Sequence, residues 1–327
     1  MLFRSSGNTF HEKGADSRHS SLTNERKSFI EKNLTDNHIK IIDIGCGQGQ
    51  LLQSLKNINL IKHGLDPSQK EFYDKENQIN YFHGNFEDKN LIENDYDVVL
   101  CISSLEHYYN PREAIKTFYN MLRNHGLLFL EIPNSLYPVS QISDFYSFEH
   151  LSHFTPFTIS KLLELNNFDI VKVDKNVSIP NIRLLAKKVK NKIKNDLDDD
   201  RVQMENAIKK YKSDRVNKLD KIKNKIMPLI NKLKLSKKSI AVYGAGIHTN
   251  FLLDNFDIKN SISAFIDSDS SKWNTFFHGI KVYEPRKIKS LQIDAILISS
   301  HDYELEIFDT INLYNSKEIP VLKCYND

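Results

Sequence analysis

The stretch Ile39-Lys40-Ile41-Ile42-Asp43-Ile44-Gly45-Cys46-Gly47-Gln48-Gly49-Gln50-Leu51-Leu52 limits the folds open to this chain more than any other. Its first half is a run of β-branched residues, the pattern of a strand buried on both faces of a parallel sheet. Three glycines follow at alternate positions, and the chain resumes with Leu51, Leu52 and Leu55 at helical spacing. Strand, glycine turn and helix make a nucleotide-cradling layout, because a residue without a side chain lets the backbone approach a ligand closely. The spacing is Gly-x-Gly-x-Gly and differs from the Gly-x-Gly-x-x-Gly of a dinucleotide site.

The next hundred residues keep the α/β alternation. Leu60–Asp66 reads as a second strand ending in an acid 21 residues past Gly45. An acid there can accept hydrogen bonds from both ribose hydroxyls of an adenosine, or it can be a turn aspartate before Pro67. Ile79–His83 is a short strand that leads into a polar loop with Asn85 and Phe86. Tyr96–Ile102 is an apolar, central strand that runs into Ser103-Ser104-Leu105-Glu106-His107. Pro111 opens a helix through Met121 and Leu122. Leu127–Ile132 is a fifth strand, and Phe168–Val173 and Ile182–Ala186 close the set.

These motifs, in this order, resemble the class I S-adenosylmethionine-dependent methyltransferases over residues 39–187. The resemblance implies an S-adenosylmethionine cofactor held by Asp43, Gly45, Gly47, Gly49, Asp66, Asn85, Phe86 and Ser103. The Leu105-Glu106-His107 ending resembles that of the ubiquinone-biosynthesis-like members, in which this histidine is structural or cofactor-adjacent. Between the fifth strand and the closing pair lies Tyr146-Ser147-Phe148-Glu149-His150-Leu151-Ser152-His153-Phe154-Thr155, with Thr155 or Thr158 capping a helix that carries Leu162, Leu163 and Leu165. Glu149 beside His150 can orient the imidazole or raise its pKa. The same histidine can instead simply pack against the sheet. This part resembles the sugar C-methyltransferases of deoxysugar biosynthesis. That likeness implies catalytic roles for Tyr146, Glu149 and His150 and a substrate-binding role for Arg183. The zinc-binding domain of that family is expected to be absent, because no cysteine precedes Cys46. C-methylation and a simpler O-methylation with His150 as general base are both open. No metal-ligand spacing is apparent, and no metal is expected.

Charge divides the chain unevenly. Between Ala186 and Lys238 stand 18 Lys and Arg against 7 Asp and Glu, so this segment carries +11 and the remainder −8. Within it Leu219, Ile222, Ile226, Leu229 and Leu233 form one apolar stripe on a long basic helix, which Pro228 should kink. The stripe can cover a domain, or it can serve a phosphate partner or a homodimer. Ser239–Tyr243, Gly244-Ala245-Gly246 and a helix with Phe251, Leu252 and Leu253 then repeat the opening logic, and Asp267 ends a strand 23 residues past Gly244. This stretch resembles the C-terminal domain of the sugar C-methyltransferases and the N-terminal domain of some sugar acetyltransferases. That likeness implies a substrate phosphate held by Gly244, Gly246 and His248.

The expected architecture is therefore a helical cap over 1–38, a Rossmann-like methyltransferase sheet over 39–187, a basic helical linker over 188–238 and a smaller Rossmann-like α/β domain over 239–327. The expected reaction is methyl transfer to a small acceptor, a nucleotide sugar or another precursor of a surface polysaccharide. Two rivals stand beside it. One is an RNA methyltransferase using the basic helix as a phosphate rail, against which the acidic remainder and the absence of an aromatic-rich basic patch both weigh. The other is a non-enzymatic scaffold of two Rossmann units. No run of eighteen apolar residues and no secretory h-region is present, and the three cysteines form no CxxC pair, so a reducing cytoplasm is the expected compartment.

Overall fold

A computed structural model of the chain describes residues 13–35, 40–56, 60–88, 94–138, 145–175, 177–190, 198–301 and 303–326. Ile39, part of the predicted linker (191–197) and the side chains of Arg18 and His19 lie outside what is described. The chain divides into two compact units, Met1–Val139 with Tyr146–Ile208 and Ser140–Phe145 with Lys209–Asp327, the later boundary falling within one long helix.

The first unit is built on an eight-stranded sheet. Its strands are β1 (Lys40–Ile44), β2 (Ile61–Asp66), β3 (Phe72–Asp74), β4 (Ile79–His83), β5 (Tyr96–Ile102), β6 (Leu122–Pro133), β7 (Phe168–Val173) and β8 (Asn181–Lys188). They lie in the order β3-β4-β2-β1-β5-β6-β8-β7. The five strands from β4 to β6 are parallel, while β3 pairs antiparallel with β4 and β8 antiparallel with β6 and β7. The buried runs of β1 and β5 are apolar on both faces because helices cover both. On one face α1 (Lys13–Glu31) contributes Phe29 and Ile30, and α2 (Gln50–Ser54) contributes Leu51 and Leu52. On the other, α3 (Pro111–Met121) and α4 (Pro156–Leu165) bury Ile115, Phe118, Ile159 and Leu163.

The helix starts follow from sequence chemistry. Asn110 caps α3 by accepting the Glu113 N–H, with Pro111 at the first position. Thr155 and Thr158 form a reciprocal capping box on α4, so both predicted candidates take part. Two features differ from expectation. Strand β6 begins at Leu122 and not Leu127. Strand β3 went unpredicted because it is a three-residue edge strand with exposed side chains, held by Phe72 stacking on Tyr81 at 4.8 Å.

The second unit centres on a six-stranded sheet in the order β11-β12-β10-β9-β13-β14. Its strands are β9 (Ile240–Tyr243), β10 (Ile262–Ile266), β11 (Phe276–Phe277), β12 (Ile280–Tyr283), β13 (Ala295–Ile298) and β14 (Val321–Lys323), all parallel except β11. The C-terminal half of α5 (Arg201–Leu235) covers one face with α6 (Ile247–Asn255), and α7 (Glu304–Tyr314) covers the other. The apolar face of α5 keeps Leu219, Ile222, Ile226 and Leu233 of the predicted stripe and takes Ile230 in place of Leu229. Ile222, Ile226 and Ile230 are buried at i, i+4 spacing, while Leu229 is 46% exposed. Pro228 lies inside α5, which continues through it to Leu235. No described helix is long and apolar enough to cross a membrane.

Candidate active site

In an open α/β sheet, a ligand binds beyond the C-terminal ends of the strands where strand order reverses. In the first unit that point is β1, flanked by β2 and β5. The residues following β1 form a turn closed by the Gly45 N–H to Leu65 O (2.8 Å) and the Gly49 N–H to Cys46 O (2.9 Å). Gly47 has φ +53°, and a Cβ built on it would meet nothing within 4 Å, so its outer side is open to a ligand. Asp66 binds this turn from β2. One carboxylate oxygen accepts the Gly47 N–H at 2.9 Å, and the other accepts the Ser68 N–H and Oγ–H.

Asp43 sits beneath the turn, 3% exposed, and its Oδ1 has no hydrogen-bond partner. Burial pushes its carboxyl up to about 7, with Arg26 pulling it down and Asp66 pushing it further up. A buried carboxylate oxygen without a donor, beside an open glycine turn and a ribose-competent acid, suits a cationic nucleoside such as S-adenosylmethionine. Ser103 follows β5 with φ +50°, uncommon for a residue with a side chain. Its N–H donates to Glu131 O at 2.8 Å, and its Oγ accepts from Arg26. Asn85 is exposed, and its N–H donates to Asp88. The Phe86 ring is buried in the core against Tyr108 and Phe118, which leaves its backbone for a ligand.

Sequence reasoning missed the charges that surround this cradle. Arg26 on α1 donates to Glu131 through Nε and Nη2. Glu131 is fully buried in β6 and also accepts from Arg183 Nε (2.6 Å) and Asn181 Nδ2 (3.1 Å). Burial alone would raise its pKa; the two guanidiniums outweigh burial and hold it below the usual glutamate value. Arg183, predicted to bind substrate, is buried and also pairs with Asp174 at 3.0 Å. The signal available was Glu131 itself, a lone charge in the apolar run Leu127–Ile132. Nothing local marks Arg26, whose partner is 105 residues away.

The loop bearing Tyr146, Glu149 and His150 meets the turn that follows β5. The Ser152 N–H donates to Glu106 O at 3.0 Å, and His107 Nδ1 bonds Glu149 O at 2.9 Å. The rings of His107 and His150 lie 5.0 Å apart, and those of Tyr146 and His153 lie 4.8 Å apart. Burial, then the neighbouring charge of His150, lowers the His153 pKa, and burial raises that of Tyr146. Glu106 is 2% exposed, its Oε2 has no hydrogen-bond partner, and burial pushes its carboxyl up to about 7.

In the second unit the glycine turn is occupied by its own surroundings. A Cβ on Gly244 (φ +111°) would lie 2.4 Å from Ser299 Oγ, so close packing of β9 against the end of β13 already requires glycine here. Asp267 accepts the Ala245 N–H (2.8 Å) and pairs with Lys272 (3.1 Å), and His248 Nδ1 accepts the His301 N–H (3.0 Å). Gly246 caps α6 with extended backbone.

Residues 18–173 match a family described as a methyltransferase domain, and residues 236–319 match one described as C2185-like, N-terminal. Among curated proteins the chain is similar to the ubiquinone biosynthesis O-methyltransferase of Shewanella sp. (strain ANA-3), 31% identical over 103 residues, covering 29% of this chain and 44% of that protein. It is also similar to the mitochondrial enzyme of that name from Saccharomyces cerevisiae, 30% identical over 127 residues, covering 35% of this chain and 40% of that protein. The chain thus spans less than half the length of these curated relatives. Among solved structures it is similar to an S-adenosylmethionine-dependent methyltransferase from Listeria monocytogenes, with TM-score 0.41 and 16% identity over 52% of this chain and 100% of that one. Magnesium protoporphyrin IX methyltransferase from Synechocystis, crystallised with S-adenosylhomocysteine, gives TM-score 0.39 and 16% identity over 52% of this chain and 84% of that one. The sheet order, the glycine turn and the matched family together make the first unit a class I methyltransferase domain with S-adenosylmethionine as its cofactor.

Proposed function

We propose that the protein transfers a methyl group from S-adenosylmethionine to an oxygen of a small-molecule acceptor, a nucleotide sugar or another polysaccharide precursor. The observation that carries the methyl-transfer reading is the partnerless oxygen of Asp43 beneath the glycine turn. In this reading Asp43 faces the cofactor's positive charge, Gly45, Gly47 and Gly49 admit its backbone-facing edge, and Asp66 takes the ribose hydroxyls. Asn85, the Phe86 backbone and Ser103 border the adenine and the methionine end.

When bound, the cofactor supplies an electrophilic methyl on a sulfonium: its S–C bond breaks as the acceptor's O–C bond forms, leaving a neutral thioether. The chain's own residues align the acceptor and remove its proton. In this reading that base is His150, with Glu149 next to it in the chain and Tyr146 against the neighbouring His153. The O-methyltransferase names of the curated relatives favour oxygen over carbon as the acceptor atom. The sugar assignment rests on the likeness of the second unit to sugar-enzyme domains. There Gly244, Gly246 and His248 would meet a phosphate, and Arg183 would act on the acceptor side.

Calorimetric titration of S-adenosylhomocysteine into wild type and Asp66→Ala tests the cofactor assignment. Micromolar binding by wild type, weakened about tenfold or more in the variant, is expected for the loss of charge-assisted hydrogen bonds. No binding by wild type would leave the non-enzymatic scaffold as the better reading. Transfer of labelled methyl to a panel of nucleotide sugars, with His150→Ala as control, then tests the acceptor.

A further inference from the structure

The cluster where the two loops meet has a geometry that methyl transfer alone does not use. We propose that Glu106, His107 and His150 bind a divalent transition-metal cation, with zinc the best match. Each residue offers one ligand atom, and the three atoms lie within 4.8 Å of one another. Two atoms bound to one metal at about 2.1 Å stand roughly 3–4 Å apart, so the widest pair of the cluster closes by roughly 1–2 Å on binding, within reach of side-chain rotation.

Three further features make this a built site. The first is Glu106, which is 2% exposed with Oε2 lacking a hydrogen-bond partner. A buried carboxylate oxygen in that state costs free energy that a cation would recover. The second is the tautomer of His107. Its Nδ1 lies 2.9 Å from Glu149 O, and a carbonyl only accepts, so Nδ1 carries the proton. The lone pair of neutral His107 is then on Nε2, the nitrogen 3.9 Å from Glu106 Oε1. Metal-binding imidazoles are oriented in this way, one nitrogen donating to a carbonyl and the other ligating. The third is the Ser152 N–H bond to Glu106 O, which ties the segment bearing His150 to the segment bearing the other two ligands.

Two imidazoles and one carboxylate are borderline ligands that suit zinc and its neighbours better than magnesium or calcium. Three protein ligands leave a position open, as catalytic zinc sites do. On the methyl-transfer reading, that position takes the acceptor oxygen. The cation then acidifies the hydroxyl, and His150 serves as ligand in place of base. The proton leaves to solvent before the O–C bond forms.

The test is calorimetric titration of zinc alone into the metal-stripped full chain, repeated on His107→Ala, His150→Ala and Glu106→Gln. One equivalent should bind wild type, and each histidine variant should weaken binding by on the order of 100-fold, at least the loss seen for outer-shell partners. S-adenosylhomocysteine binding to the same histidine variants should stay within about threefold of wild type, which also reports that they fold. Failure of wild type to bind zinc stoichiometrically, or binding unchanged in both histidine variants, overturns the proposal. Zinc binding without S-adenosylhomocysteine binding would keep the metal site and remove the methyltransferase reading; the reverse result would remove the metal site alone.

Discussion

Asp43 carries two opposed demands, and pH separates them. Its carboxyl moves from an ordinary 3.8 to about 7 on burial, so the ionised form is penalised in the folded chain and free in the unfolded one. The ligand-free fold therefore keeps full stability below about pH 4 as far as this group is concerned. It loses that contribution as pH rises toward 7. Asp43→Asn should stabilise the ligand-free chain by as much as about 4 kcal/mol at pH 8 and by little at pH 4, read by urea unfolding at both values. The same variant should bind S-adenosylmethionine more weakly at pH 8, because the carboxylate that faces the sulfonium charge is gone. Asp43, Asp66 and the three glycines were legible in the sequence because the chemistry lies in their local spacing. Arg26, Glu131 and the Glu106–His107–His150 cluster were not. Their partners come from elements far apart along the chain, and the Leu105-Glu106-His107 motif carries no mark of what the Glu106 carboxylate touches. The Phe86 ring is a related case: an aromatic in a cofactor-side loop can serve either the ligand or the core, and packing against Tyr108 and Phe118 puts the ring in the core.

Helices and strands were easier to read than their edges. Parallel strands announced themselves as apolar runs, and α3 and α4 were bounded by Asn110-Pro111 and Thr155-Pro156, whose caps satisfy the first free N–H groups. The face of α5 was harder, because two stripes fit one sequence. Spacings of three and four include Leu229, whereas the sheet of the second unit keeps Ile222 and Ile226 and selects the neighbouring Ile230. The two versions differ measurably. Ile226→Ala should cost about 2–4 kcal/mol, as for other buried isoleucines, while Leu229→Ala should cost roughly 0.5 kcal/mol or less. Urea denaturation of the full chain followed by a probe in the second unit distinguishes them; equal losses would restore the predicted stripe.

Taken whole, the chain uses one plan twice. Each unit places a strand, a glycine turn and a helix where strand order reverses, and each has an acid at the end of the neighbouring strand. The plan was legible in both. What differs is the use of the turn. Gly47 faces open space, while Gly244 is pressed against Ser299 and Asp267 is paired with Lys272. Gly244→Ala should therefore lower the stability of the second unit by about 1–3 kcal/mol even without ligand, through overpacking and a left-handed φ, and leave S-adenosylhomocysteine binding to the first unit unchanged. A thermal melt beside the calorimetric titration reads both parts.

The grip of Asp66 on Gly47 and Ser68 has a kinetic consequence. The acid that is placed to receive a ribose already holds the turn in shape, so the loop's ordering entropy is spent during folding and not at the encounter. Arrival of the nucleoside becomes an exchange, solvent at the outer lone pairs of one carboxylate giving way to hydroxyls, with no segment to assemble first. Such a pocket captures its ligand in one step, at a rate set by diffusion and orientation, and residence time becomes the quantity that selection can tune.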